Sequence, residues 1–155
     1  FRCECYPAVS APQIRAELDA WRLQGWGVPD VVIIDYADNL EPISRKEDKR
    51  DQVNSTWRYL RGMAMDLQCL VVTATQANRE SFGKFWLTKD SISEDIRKLS
   101  HVTGMVGINV TAAEKRLGIC RLNWIAKRHG RFNTFTGPHV VGCLELGNPS
   151  VVSVW

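Results

Sequence analysis

The chain has 155 residues, of which 45% are hydrophobic and 24% charged, and a formal net charge of +3. That length and composition suit one soluble globular domain with a substantial core and argue against a disordered or fibrous chain. No apolar run approaches the roughly 18 residues needed to cross a bilayer, so no membrane span is expected, and the charge is too mild to announce a nucleic-acid partner by itself.

Phe1 opens the chain, and the first residues read as the middle of a longer protein. Residues 1–6 (FRCECY) are a candidate short strand, ended by Pro7. Residues 11–24 place Ile14, Leu18 and Trp21 on one helical face, with Ser10 as N-cap, Pro12 in the first turn, and Gly25 and Gly27 beyond the end. Residues 31–35 (VVIID) lack alternation, the pattern of a central parallel strand covered on both faces. Residues 41–52 read as a charged, solvated connection. A second helix is expected over 53–67, with Val53, Trp57, Leu60, Ala64 and Leu67 on its stripe, then a buried strand over 69–74 and a loop over 77–90.

Ser91 opens a predicted third helix, with Glu94 completing a capping box and Ile92, Ile96 and Leu99 sharing a face. Further strands are expected over 105–111, 117–126 and within 140–155, where Gly147-Asn148-Pro149 marks a hairpin turn. The alternation predicts an α/β fold: a mostly parallel sheet flanked by helices, with antiparallel strands added near the C-terminus. Cys3, Cys5, Cys69, Cys120 and Cys143 match no zinc spacing. They read as reduced thiols of a cytoplasmic protein, Cys69 and Cys120 as small core hydrophobes.

Ligands bind such sheets at the carboxyl ends of the strands, where Asp35 and Gln76 fall. An acid held rigidly and partly desolvated there suits a magnesium–nucleotide complex: the carboxylate holds a water of the metal shell while the metal neutralises phosphate charge. The structural alternative is an acid that caps a strand–loop junction. Gln76, at the tip of the next strand, suits a neutral amide that senses a γ-phosphate or positions a water, and equally suits the polar start of a loop. Lys127, Arg128, His129 and Arg131 follow a later strand. Arginine binds phosphate oxygens in a fixed fork; a solvated basic hairpin, with His129 at the surface, is the plainer reading.

Taken in order, "ECYPAVSAPQIRAELDAW", "PDVVIIDYADNL", "LVVTATQANRE", "SISEDIRKLSHVTGMVGINVT" and "AEKRLGICRLNWIAKRHG" resemble the second half of the RecA-like ATPase core of DnaB-type replicative helicases, phage versions especially. The likeness runs over roughly residues 4–131. It implies a RecA-like twisted sheet, ATP and Mg2+ as ligands, single-stranded DNA as partner, a homo-oligomeric ring such as a hexamer, no membrane, and the cytoplasm of a bacterial cell or phage-infected host. By resemblance Asp35 is the Walker B aspartate and the magnesium residue, Gln76 couples the γ-phosphate to DNA loops, and Arg128 is an arginine finger acting across the ring. The family commonly has a lysine two residues before that arginine; here Ala126 stands there and Lys127 adjoins the arginine.

The family's DNA loops follow its strand tips, which points to "RESFGKFWLTK". There Arg79, Lys84 and Lys89 interleave with Phe82, Phe85 and Trp86, the mix of charge and stacking rings that a single-strand channel uses. Packing of those rings on the body or on a neighbouring subunit is the alternative. No G-x-x-x-x-G-K-S/T phosphate loop occurs in the 155 residues. Residues 1–155 therefore read as a partial RecA-like core whose phosphate loop lies upstream. Two other readings stay open: a non-unwinding RecA- or KaiC-like ATPase, and a non-catalytic RecA-like interaction module.

Overall fold

The computed structural model describes residues 1–92, 95–143 and 148–154, which fall into two compact units, Phe1–Thr75 and Gln76–Trp155. Among the described residues no helix is long and apolar enough to cross a membrane.

In the first unit α1 (Ala11–Leu23) begins as expected. Ser10 is the N-cap, its backbone N–H donates to Gln13 Oε1 at 2.8 Å, and Pro12 sits in the first turn. The helix stops because Gly25 turns left-handed at φ +86°. That lets Trp26 N–H reach the Trp21 carbonyl and Gly25 N–H reach the Arg22 carbonyl, the paired bonds of a Schellman end. α2 (Lys49–Leu67) starts earlier than its apolar stripe implied, because Asp48 caps it by accepting from Asp51 N–H at 2.9 Å. Its first turn is polar on every side and so carries no periodic signal. Val53, Trp57, Leu60, Met63 and Leu67 are buried, and with Leu18 and Ile34 they form the core of this unit. Met63 takes the buried place anticipated for Ala64, which is half-buried.

β1 (Val31–Ile34) and β2 (Leu70–Thr73) pair in parallel, Val31 beside Leu70 and Ile34 beside Thr73. The strand is not covered on both faces. Ile34 points into the core, whereas Val31, Ile33, Leu70 and Val72 line an exposed face, with Ile33 71% exposed. Within this unit the helices pack on the Ile34 side of the pair, so an apolar run that looks uniform in sequence is split by the pleat. Residues 1–6 form no strand and are exposed, since no described strand offers their backbone a partner.

In the second unit α3 (Lys98–His101) is a single turn, followed by β3 (Gly104–Asn109), α4 (Ala112–Arg116), β4 (Ile119–Lys127), β5 (His139–Cys143) and β6 (Asn148–Val154). The four strands make an antiparallel sheet in the order β3-β4-β5-β6. The α/β class and the antiparallel C-terminal strands are as expected, and the parallel share carried by the described residues is the β1–β2 pair. The helix predicted from Ser91 does not form there. Lys89–Ser91 is a 3-10 turn, and Ile92 is extended, bridged to Ala77. Asn78 explains this: its backbone N–H binds the Ser91 carbonyl at 2.9 Å and its amide the Asp90 carbonyl at 2.7 Å. Glu94 lies outside the described residues. The hairpin at the tail is present, with Cys143 paired to Asn148; Asn148 and Pro149 belong to its second strand, and Gly147 lies outside the described residues. α4 went unanticipated, although Thr111 and Glu114 spell a capping box. Cys69 and Cys120 are half-buried rather than core residues.

Candidate functional site

Parallel pairing brings the carboxyl ends of β1 and β2 to one rim. Beyond that rim Thr73 and Thr75 tie down the turn after β1. Thr73 Oγ1 donates to the Ile34 carbonyl at 2.9 Å and accepts from Ala37 N–H at 2.8 Å. Thr75 Oγ1 donates to Asp38 Oδ2 at 2.6 Å, and Trp57 Nε1 of α2 donates to Asp38 Oδ1 at 2.9 Å. Asp38, which the sequence did not single out, is therefore the strut that joins the turn after β1 to the end of β2 and to α2. A charge-assisted bond on each carboxylate oxygen is worth more than a neutral one.

Asp35 is the first residue past β1, and the Asp35–Tyr36 peptide is cis. Its side chain is exposed, not partly desolvated as the apolar run before it implied. An exposed carboxylate on a braced turn is a hard oxygen donor. Among the described residues no three His, Cys, Asp or Glu side chains cluster into a protein cage for a metal. Magnesium keeps most of its waters and takes one or two carboxylates, and Asp35 offers one exposed carboxylate at this rim. Gln76 is exposed and opens the second unit.

In the second unit Arg128 follows β4 directly. Its Nε donates to the Val102 carbonyl at 2.9 Å and its Nη2 to the Ser100 carbonyl, so the guanidinium covers the end of α3. These bonds take two of its five N–H groups. Lys127 ends β4 with its ammonium 5.3 Å from the Trp124 ring centre. The aromatic loop is neither a bare flexible segment nor a packed one. Arg79, Lys84 and Lys89 are exposed, Phe82 is 83% and Phe85 58% exposed, and Trp86 is half-buried with its ring edge-on to Phe85 at 5.3 Å.

Sequence reasoning missed what holds that loop. Arg121 on β4 is 0% exposed. Its guanidinium lies 3.5 Å from the Phe85 ring centre and 5.0 Å from that of Trp86. Nη1 donates to the Phe85 carbonyl, while Nε and Nη2 grip Glu114 at 2.7 and 3.1 Å. The Arg121 hydrogen bond, followed by the Thr111 backbone and hydroxyl, lowers the Glu114 pKa from 4.5 to about 2. The alternation of β4, with Arg121, Asn123 and Ile125 all inward, could have flagged an arginine on a buried face.

The architecture matches known structures. At TM-score 0.78 the chain aligns with a solved ATPase domain, 18% identical, over 91% of this chain and 51% of that one. At TM-score 0.77 it aligns with a DnaB-like replicative helicase solved for its interactions with primase, 16% identical, over 89% of this chain and 34% of that one. The chain has the RecA-like fold of DnaB-type helicase ATPase domains. It spans about half the length of one neighbour and a third of the other. No protein-family model and no curated protein matches it.

Proposed function

We propose that the chain is part of the ATP-hydrolysing motor of a ring-forming replicative DNA helicase that acts on single-stranded DNA. One observation carries the reading: an exposed aspartate stands at the carboxyl end of a parallel strand, on a turn braced to the neighbouring strand's end, in a fold shared with helicase ATPase domains. Asp35 would hold a water of the Mg2+ shell, and Asp38, Thr73 and Thr75 keep its turn in place. Bound magnesium supplies neutralising charge to the nucleotide phosphates. Gln76, next along the chain from Thr75, relays the state of that rim into the loop that begins at Arg79. Arg128, with Lys127 beside it, serves a neighbouring subunit of a hexameric ring. The phosphate loop comes from outside these 155 residues, and the ring works in the cytoplasm of a bacterial cell or phage-infected host.

The test is ATP hydrolysis by the full-length protein, with and without single-stranded DNA, beside Asp35→Asn. DNA-stimulated turnover that disappears in the variant is expected; turnover retained in a folded Asp35→Asn protein overturns the magnesium role. Absence of turnover in the assembled wild type transfers the reading to a non-catalytic interface module. Hydrolysis without strand displacement on a forked duplex transfers it to a non-unwinding RecA- or KaiC-like ATPase.

A further inference from the structure

Beside Ile125, the inward face of β3–β4 carries a buried polar cluster where a sheet packed against a loop would ordinarily be apolar. Asn109, Arg121 and Asn123 are all buried there, and Asn109 faces Arg121 across the strands while Gly107 faces Asn123. Their side chains converge on the backbone of the aromatic loop. Asn109 Oδ1 accepts from Leu87 N–H at 2.6 Å, and Asn123 Nδ2 donates to the Leu87 carbonyl at 2.8 Å. Asn109 Nδ2 donates to Asn123 Oδ1 at 2.9 Å, which sets both amides in one orientation. Both hydrogen-bonding groups of Leu87 are thus met by side chains, as a neighbouring strand would meet them. Arg121 does the same for the Phe85 carbonyl. Gly107 makes room: a Cβ there would stand 2.5 Å from Asn123 Oδ1 and 3.2 Å from Leu87 Cβ.

Buried polar groups specify one arrangement, because each is costly when its partner moves away. What this arrangement fixes is the stretch from Phe85 to Leu87, with the Phe85 ring outward and Lys84 and Phe82 beside it, both exposed. A pre-ordered ring beside an exposed lysine suits a ligand with stackable faces and a phosphate backbone. Building on the DNA-motor reading, we propose that Asn109, Asn123 and Arg121 are positioning residues that pre-order this loop to stack and hold a single-stranded polynucleotide.

Binding of a fluorescent oligo(dT) to the full-length protein tests this in wild type, Arg121→Lys, Gly107→Ala and, as a control in the first unit's core, Leu60→Ala. Arg121→Lys keeps the charge and loses the fork, whereas Gly107→Ala wedges the amides off Leu87. Each should weaken binding by roughly tenfold, about the loss of one stacked base, and should speed hydrogen exchange at the Leu87 amide. Leu60→Ala should lower the melting temperature with oligo(dT) affinity unchanged. Wild-type affinity in folded Arg121→Lys and Gly107→Ala proteins would overturn the proposal, and so would an equal loss in Leu60→Ala. Should Arg121→Lys not fold, Gly107→Ala decides alone. A wild type that binds no oligo(dT) overturns the DNA reading of the loop itself, and unchanged Leu87 exchange in the variants separately overturns the ordering role.

Discussion

Glu114→Gln tests the Arg121–Glu114 ion pair that anchors the aromatic loop. Arg121 is fully desolvated and Glu114 is 18% exposed, so the pair is not a surface bridge of negligible worth. A carboxyl held at about 2 rather than 4.5 sets an upper bound of about 3 kcal/mol on the linked stability at neutral pH, reduced by solvent screening on the exposed side of Glu114. Breaking a buried pair from one side costs about 3–5 kcal/mol. Glutamine keeps an acceptor for Thr111 and Arg121, so the expected loss is about 2–3 kcal/mol, well within a domain stability of about 5–15 kcal/mol. The sign follows from the lowered pKa. The contribution is complete above about 4.5 and disappears as pH falls through about 2. Urea unfolding of both proteins at neutral pH and at steps down to about 2 should show a gap that narrows only below about 4.5. A gap that stays constant with pH, or one below about 0.5 kcal/mol at neutral pH, would refute the assignment of this ion pair as a buried, charge-dependent anchor.

Trp57→Phe removes the indole donor from Asp38 and should cost about 1.5–3 kcal/mol, the range for a hydrogen bond to a charged group; thermal unfolding measures it, and a change under about 0.5 kcal/mol would mean that Asp38 is no strut. Leu60→Ala, at a core position of α2, should cost about 2–5 kcal/mol by chemical denaturation. Arg128→Ala should remove hydrolysis only through the assembled ring, so mixing it with a variant in the phosphate loop should restore part of the activity; no rescue would count against action across subunits.

Local chemistry in the sequence determined much of this protein. Ser10 and Pro12 announce the start of α1, Gly25 its end, and the apolar stripe from Val53 to Leu67 the body of α2. The runs VVII and LVVT announce two strands whose ends carry Asp35 and, after Thr75, Gln76. These signals were legible because each lies within a few residues of what it controls. Tertiary structure alone decided the rest. It left one face of β1–β2 open and exposed Asp35, because packing partners, not hydrophobicity, decide which side of a pleat is covered. It replaced the predicted helix at Ser91 with a turn captured by Asn78. It also set Arg121 against Phe85, 36 residues away in the chain. An arginine in a strand is silent about such a partner, since which loop lies across a sheet face depends on how distant strands pair, and no local periodicity encodes that.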